Sequence, residues 1–260
     1  MLWERIFTKA DAPAVFADLV RAWKDDSNKV FVLRAGEPIE NVRDFYEAHW
    51  PCLGTAEPLA EDAAISDRAA QRTGTYWFEV RYDPDFRDAY RHSANAQPLH
   101  TDGSYIPTFP NATLMVCVAS AGDGGETIFV SADDVERVVA EADPELLDYL
   151  RTTPIPHARS GDARNEPVIR EQDGKKLVNW NYYCVDRASV GDEIDRVESF
   201  QRILTSSPEL RERLLEVKLR PGDAVTWKDD EVLHGRNGFA ASHASERFLW
   251  KCAIDIGRFE

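Results

Sequence analysis

Apolar residues recur along this chain with two different periods, that of helices and that of strands. Near the N terminus they follow helical spacing over 16–23, behind Pro13, and again over 42–49. Short runs rich in β-branched and aromatic residues predict strands instead. These runs lie at 29–35, 75–82, 112–119, 127–130, 215–219, 224–227 and 247–256. The run at 112–119 is almost entirely apolar, which predicts a strand buried on both faces.

The pattern changes between residues 131 and 214, where helical segments predominate. Ser131 followed by Asp134 predicts a capped helix start, Pro144 a second helix, and 192–207 a third. Short strands around the turn Asp173-Gly174 separate the second helix from the third. We predict one α+β domain over residues 1–260, with two N-terminal helices and a strand-rich core that a helical insertion interrupts.

Two connections complete this prediction. The glycine-rich turn over 122–125 predicts that the strands at 112–119 and 127–130 form a hairpin. The acidic, alanine-rich stretch over 57–72 shows no clear period and predicts a surface loop.

Charge and composition narrow the function classes. The chain has 31 basic and 46 acidic residues, for a net charge of −15, which argues against a nucleic-acid partner. The same acidity favours a cationic or zwitterionic small substrate over an anionic one. No apolar run approaches the roughly 20 residues of a membrane span, and the first residues lack a signal-peptide pattern. We therefore expect a cytoplasmic protein without a membrane partner.

The four cysteines are dispersed through the sequence without any C-x-x-C pair. This spacing predicts free thiols in a reducing compartment rather than a zinc site or a disulfide framework. They are Cys52, Cys117, Cys184 and Cys252.

The segment PLHTDGSY at 98–105 carries the first candidate chemistry. His100 and Asp102 are two residues apart, so an extended strand would place both on one face, about 6.7 Å apart at about 3.3 Å per residue. They could supply two ligands of a 2-His-1-carboxylate iron site. One H-x-[DE] is expected by chance, so a strand-end histidine beside a solvated aspartate explains the isolated pair equally well. His234, in VLHGRNGF just past a predicted strand, offers the third ligand. His49 lies on a helical face and is predicted to be packed.

Arg247 enters the apolar strand at 247–256. A buried charge without a partner is costly, so this side chain requires one. The partner is either a neighbouring acidic side chain or the carboxylate of a small diacid, which the planar guanidinium suits.

Taken in order, LHTDGSY, the apolar strand after it, GGET at 124–127, VLHGRNGF and ERFLW resemble the taurine dioxygenase/clavaminate synthase-like superfamily of Fe(II)- and 2-oxoglutarate-dependent oxygenases. The resemblance extends over about residues 10 to 256 and implies a double-stranded β-helix, or jelly-roll, core. It implies that His100, Asp102 and His234 bind Fe(II). Arg247 and the Thr127 hydroxyl would bind the far carboxylate of 2-oxoglutarate, with O2 as the other co-substrate. Before VLHGR, the segment 228–231 departs from the Asp-Asn-Arg-like turn that the family often carries.

The resemblance also implies a reaction. It is the oxidation of an unactivated C–H bond in a small polar molecule, with release of succinate and CO2. Hydroxylation of an amino acid or an amino-acid-derived natural-product precursor is the main reading, and the retained Asp102 disfavours halogenation. Desaturation or oxidative cyclisation with the same cofactors, a jelly-roll metalloprotein of another reaction class, and a silent binding protein stay open as alternatives. The candidates for substrate contact, each equally explained as a packing or surface residue, are Gln97, Tyr105, Asn179, Asn181, Tyr183 and Arg236.

Overall fold

Strands and helices alternate irregularly in the computed structural model, which describes residues 1–59, 75–86, 90–159 and 161–259. The strands are β1 (Leu2–Phe7), β2 (Val30–Ala35), β3 (Gly54–Glu57), β4 (Phe78–Arg81), β5 (Gln97–His100), β6 (Ala112–Ala119), β7 (Thr127–Ser131), β8 (Pro154–Arg159), β9 (Asp162–Pro167), β10 (Ile169–Gln172), β11 (Lys175–Val178), β12 (Leu215–Val217), β13 (Ala224–Lys228), β14 (Val232–Arg236) and β15 (Phe248–Ile256). The helices are α1 (Ala12–Trp23), α2 (Val42–Ala48), α3 (Trp50–Leu53), α4 (Ala132–Ala142), α5 (Pro144–Thr152), α6 (Arg187–Val190), α7 (Ile194–Ser206) and α8 (Pro208–Arg211).

Two sheets form the centre of this mixed α/β structure. The larger has the order β1-β2-β13-β6-β15-β3, and β4 also pairs with β15. The smaller has the order β12-β7-β14-β5. Every pairing in these two sheets is antiparallel except the one between β1 and β2. Two separate hairpins, β8 with β9 and β10 with β11, complete the strand pairings.

Apolar side chains divide into three clusters that correspond to the layers. In β2, Val30 and Val32 belong to the cluster between the sheets, whereas Phe31 and Leu33 belong to the cluster under the N-terminal helices. Because strand side chains alternate between faces, the central strands of the larger sheet are covered on both sides, and β2 and β6 are accordingly almost continuous apolar runs. The third cluster packs α4, α5 and α7 against the outer face of the smaller sheet.

Most predicted elements are present within a few residues of their expected bounds. The Ser131 hydroxyl accepts from the Asp134 backbone N–H at 3.1 Å, as the helix start at α4 requires. Asp173 and Gly174 both have positive φ and form the two-residue turn between β10 and β11. The strand expected at 75–82 is shorter, because only 78–81 pairs as β4. Within the described residues, no helix combines the length and apolar character needed to cross a membrane.

The predicted hairpin of 112–119 with 127–130 is wrong. β6 is flanked by β13 and β15 in the larger sheet, while β7 lies between β12 and β14 in the smaller one. The glycine turn between them is therefore a crossover from one sheet to the other. An isolated pair of apolar runs does not reveal this, because both neighbours of β6 come from much later in the sequence.

Two further predictions concern the cysteines and the loop over 57–72. All four cysteines are free, and all but Cys52 are buried. The loop predicted over 57–72 lies outside the described residues from position 60 onward, while Glu57 ends β3.

Candidate metal centre and its cavity

Two histidines face each other across neighbouring strands of the smaller sheet. His234 lies within β14, and its register partner is His100 at the end of β5. Their ring centroids are 4.2 Å apart. Gly235 permits this close pairing, because a Cβ at that position would lie 2.7 Å from the carbonyl oxygen of Gln97. His234 was expected just past a strand, but it lies inside one, so strand register determines its position.

Asp102 reaches the histidines through a turn. β5 ends at His100, and the chain turns at Asp102 and Gly103, whose φ is +57°. Asp102 Oδ1 lies 3.9 Å from His100 Nε2, and Oδ2 lies 3.7 Å from His234 Nε2. One ligand atom from each of the three residues lies within 4.8 Å of the other two. Convergence of the three side chains is confirmed, whereas the expected extended strand through Asp102 is wrong.

The protonation of the imidazoles suits metal ligation. His100 Nδ1 donates to the carbonyl oxygen of Pro98 at 2.9 Å, so Nε2 carries a lone pair that can accept the Gln97 amide at 3.1 Å or bind a metal in its place. Burial lowers the pKa of His100, and burial together with the neighbouring His100 lowers the pKa of His234 well below its usual range. Two neutral imidazoles and an ionised carboxylate form the 2-His-1-carboxylate donor set, which fits Fe(II) with coordination positions left open.

Two further side chains hold the carboxylate of Asp102. Lys251 Nζ on β15 lies 2.6 Å from Oδ1, and the Thr113 hydroxyl on β6 donates to Oδ2 at 2.8 Å. Burial alone would raise the pKa of Asp102, but the positive charge of Lys251 outweighs it and lowers the pKa. Neither residue is among those predicted from the sequence. The available signal was a lysine within an otherwise largely apolar strand.

A second buried carboxylate lies behind the histidines. Asp229 Oδ1 accepts from Trp227 Nε1 at 2.9 Å and from the backbone N–H of Asp102 at 3.3 Å. It lies 3.8 Å from His234 Nδ1. Burial and repulsion by Asp102 raise the pKa of Asp229 well above its usual range. The segment 228–231, where the family pattern differs, therefore supports two of the three candidate ligands.

Arg247 and Thr127 meet at a different, small cavity of about 10 Å³. Both side chains are buried, and Arg247 Nε donates to the carbonyl oxygen of Gly125 at 3.1 Å. Burial and the nearby Arg236 lower the pKa of Arg247 to about 9. Among the described residues, no carboxylate forms a close ion pair with Arg247, although Glu126 is near enough to act on it electrostatically.

The three candidate ligands open onto a larger cavity of about 670 Å³. The two cavities share two strands. On β6, Met115 lines the larger cavity and Cys117 the smaller; on β15, Lys251 lines the larger and Leu249 the smaller. Residues two apart on a strand share a face, so the cavities lie side by side along the interior between the sheets.

Residues 15–253 match the family model described as "Taurine catabolism dioxygenase TauD, TfdA family". This chain belongs to that family. The match covers both histidines, Asp102, Thr127 and Arg247, and it agrees with the resemblance seen in the sequence.

Several curated relatives of this TauD/TfdA family member are dioxygenases. The mitochondrial trimethyllysine dioxygenase of Bos taurus is 27% identical over 259 residues, covering 92% of this chain and 58% of the relative. The uridine-5'-phosphate dioxygenase of Streptomyces sp is 32% identical over 171 residues, covering 61% of each chain. The present chain thus spans about three fifths of the length of these relatives.

Solved structures support the fold assignment. Asparagine oxygenase, in complex with Fe(II), 2S,3S-3-hydroxyasparagine and succinate, aligns with a TM-score of 0.74 at 15% identity, covering 95% of this chain and 81% of that one. The non-heme iron oxygenase OrfP, in complex with Fe and alpha-ketoglutaric acid, aligns with a TM-score of 0.66 at 15% identity, with the same coverage. At this identity the likeness concerns the fold.

The substrate-contact candidates in this TauD/TfdA family member separate into two groups. Four of them line the larger cavity: Gln97, Tyr105, Asn181 and Tyr183. Gln97 Nε2 lies 3.1 Å from His100 Nε2, and the Tyr183 hydroxyl bonds that of Tyr90 at 2.6 Å.

The other two candidates, Asn179 and Arg236, are not among the residues that line the cavity. Asn179 Nδ2 donates to the carbonyl oxygen of Ser104 at 3.1 Å. Arg236 Nη2 donates to three carbonyl oxygens of the segment 90–95, at 2.6 to 3.2 Å. Both side chains thus bind backbone carbonyl oxygens of segments that form the cavity wall.

Proposed function

We propose that this protein is an Fe(II)- and 2-oxoglutarate-dependent oxygenase, with His100, Asp102 and His234 holding the metal. The proposal rests on the convergence of one carboxylate with two neutral, buried imidazoles at the wall of a large cavity. When bound, Fe(II) with 2-oxoglutarate and O2 supplies C–H oxidation, with release of succinate and CO2. The part of the chain is to position the reactants and exclude water.

We propose that Arg247 and the Thr127 hydroxyl bind the far carboxylate of 2-oxoglutarate. A guanidinium forms charge-assisted, often bidentate, hydrogen bonds with carboxylates. The cavity that both residues line runs beside the metal centre along β6 and β15, which suits a molecule reaching from one to the other. Gly125 leaves room for the arginine, since a Cβ there would lie 3.1 Å from its Cδ.

The substrate is proposed to be a small amino-acid-derived molecule that undergoes hydroxylation. Relatives named trimethyllysine dioxygenase and gamma-butyrobetaine dioxygenase support this class. Gln97, Tyr105, Asn181 and Tyr183 would contact it from the cavity wall.

We also propose that the two facing sheets form a jelly-roll core within a single domain. The crossover from β6 to β7 and the antiparallel pairings of both sheets support this arrangement. The free cysteines are consistent with action in the cytoplasm.

The test is reconstitution with metal and co-substrate. Purified protein receives Fe(II), ascorbate and 2-oxoglutarate, with a panel of amino acids and their derivatives. We expect succinate formation that depends on Fe(II) and O2 and rises with the correct substrate. Replacing Fe(II) with Zn(II) should abolish it, because Zn(II) lacks redox chemistry. Equal turnover of any substrate with Zn(II) would instead indicate a metalloprotein of another reaction class.

A further inference from the structure

Cations outnumber carboxylates on the wall of the larger cavity. Its described lining includes Arg91, Arg159 and Lys251, and Asp102 is the one carboxylate among those described lining residues. Asp102 is a candidate metal ligand, and Lys251 already pairs with it at 2.6 Å. Among the described lining residues outside that pair, Arg159 therefore adds a positive charge, opposite in sign to the net charge of −15 of the whole chain. A cleft lined by one sign of charge raises the local concentration of oppositely charged ligands.

Arg159 is the cation best placed to meet a ligand. It ends β8 and is exposed, at the rim of the cavity. Its guanidinium carbon lies 6.0 Å from the ring centroid of Tyr105, which follows the candidate ligand Asp102 by three residues. None of the ion pairs within the described ranges uses Arg159, so its charge is not neutralised there as that of Lys251 is.

Three of the five aromatic side chains in the described lining of the cavity already face cations. The guanidinium of Arg187 lies 4.6 Å from the ring centroid of Tyr182, and that of Arg91 lies 5.9 Å from the ring centroid of Phe78. With Arg159 and Tyr105, three aromatic rings of the lining are each paired with an arginine. A quaternary ammonium group is recognised by aromatic faces that are open to it. Here such a group would meet guanidinium groups at the same rings.

We propose that the substrate carries an oxyanion, either a carboxylate or a phosphate, which Arg159 receives at the cavity rim, and that the site does not select quaternary ammonium groups. This inference rests on the proposed function, whose substrate class it narrows. It narrows the expectation of a cationic or zwitterionic substrate, which the net charge favoured, to a substrate that carries an anionic group. The planar guanidinium matches the oxygens of either anion.

The experiment is a calorimetric titration of protein loaded with Co(II) and saturating 2-oxoglutarate. Two pairs of probes isolate the anion: uridine 5'-monophosphate against uridine, and N-acetylglutamine, which has one carboxylate, against its neutral α-amide. Choline serves as a quaternary ammonium probe without an anion. The variants are Arg159→Gln, Arg159→Lys and the matched control Arg196→Gln. Arg196 also lies over a tyrosine, 5.9 Å from the ring centroid of Tyr149, but it is not among the described lining residues.

We expect the wild type to prefer the anionic member of at least one pair. That preference should fall about tenfold or more in Arg159→Gln, since a hydrogen bond to a charged group contributes about that factor. It should survive in part in Arg159→Lys and fully in Arg196→Gln. The pair that responds identifies phosphate or carboxylate.

Three results would overturn the inference: no preference for either anionic probe, tighter binding of choline than of both, or a preference that persists unchanged in Arg159→Gln. If Co(II) and 2-oxoglutarate bind normally in such a case, the substrate class alone is wrong. Failure of the wild type to bind Co(II) or 2-oxoglutarate would remove the proposed function and this inference together.

Discussion

At the scale of single residues, the proposed function depends on Arg247 and on the three candidate metal ligands. The described contacts of Arg247 are the carbonyl oxygen of Gly125 and the face of Phe239, 5.6 Å from its guanidinium carbon. Neither neutralises a full positive charge. Since buried charges are stable when paired, the carboxylate of 2-oxoglutarate in the proposed function would supply the close partner that this guanidinium lacks among the described residues.

Replacing Arg247 with alanine should weaken apparent binding of 2-oxoglutarate. Truncating one side of a buried charge pair costs about 2–5 kcal/mol, or roughly 30- to several-thousand-fold in affinity. Fe(II) affinity should change little, because Arg247 is not a candidate ligand. The measurement is a 2-oxoglutarate titration of wild type and variant at matched Fe(II) and O2.

Two comparisons sharpen that titration. Arg247→Lys should restore only part of the affinity, because lysine keeps the charge and loses the planar fork. The surface variant Arg196→Ala should behave as wild type. Equal half-saturation in wild type and Arg247→Ala, with both folded, would contradict the co-substrate assignment.

Replacing His234 with alanine should abolish metal retention while leaving the fold intact, because two donors no longer form a facial site. Metal content after dialysis and the circular dichroism spectrum would be measured together. The control is His49→Ala. His49 Nδ1 lies 2.7 Å from the carbonyl oxygen of Phe45 and its ring packs on Phe16, so its loss should not affect the metal. Wild-type metal content in His234→Ala would rule out His234 as a ligand.

At the scale of elements, local sequence patterns predicted most of the helices and strands. They did not predict which strands pair with one another. The predicted helix starts at Ser131 and Pro144 and the turn at Asp173-Gly174 are present, because capping and turn chemistry act within four residues. The convergence of His100 with His234 depends on which strands pair and in what register. That information lies in contacts distant in sequence, so the resemblance to a family was needed to expect it.

Some residues of the site were missed for the same reason. Lys251 and Thr113 reach Asp102 only because β15 and β6 are neighbours in the larger sheet. Arg159 reaches the cavity from the hairpin of β8 and β9. No local motif marks Thr113 or Arg159. Lys251 carries the same signal that identified Arg247, a charge within an apolar run, but that signal does not say which residue it pairs with.

The packing of β8 against the segment 179–184 should depend on pH through His157. Nδ1 of this buried residue lies 3.1 Å from the carbonyl oxygen of Ile155. Its Nε2 accepts a hydrogen bond from the backbone N–H of Asn181 at 3.2 Å. Burial lowers the pKa of His157 to about 4. The pKa of histidine in the unfolded chain is about 6.5. The contribution of His157 to the free energy of unfolding is therefore fully present above that pH and is lost as the pH falls toward 4.

We expect this contribution to be about 3 kcal/mol across that window. It would be measured as the difference in unfolding free energy between wild type and His157→Gln, at several pH values from 7 to 4. Subtracting the variant cancels the titration of other groups. A difference that does not vary with pH would show that His157 titrates alike in folded and unfolded protein.

At the scale of the whole molecule, the three apolar clusters have different relations to the site. Phe129, between the sheets, is the register partner of His234, and its ring centroid lies 5.3 Å from that of Trp227. Phe16 is equally buried but belongs to the cluster under the N-terminal helices. Phe129→Ala and Phe16→Ala should each lower stability by about 3–5 kcal/mol.

Only Phe129→Ala should also weaken metal binding, because it removes a side chain that packs beside His234 on the neighbouring strand. Denaturant unfolding and Co(II) titration of both variants would separate the two effects. Equal loss of metal affinity in Phe16→Ala would indicate that the site depends on overall stability rather than on the interior between the sheets.

The indole of Trp227 lies with its centroid 4.5 Å from the ring of His234 and donates to Asp229. A paramagnetic ion held by His234 would lie near this indole and quench its emission, whereas a filled d-shell ion such as Zn(II) would not quench it in this way. The fluorescence of Trp227 should therefore report whether the candidate metal centre is occupied. Emission should fall on adding Co(II) and much less on adding Zn(II), and the difference should vanish in Trp227→Phe but persist in Trp3→Phe. With this signal, loading and exchange at the centre could be followed in real time without any substrate.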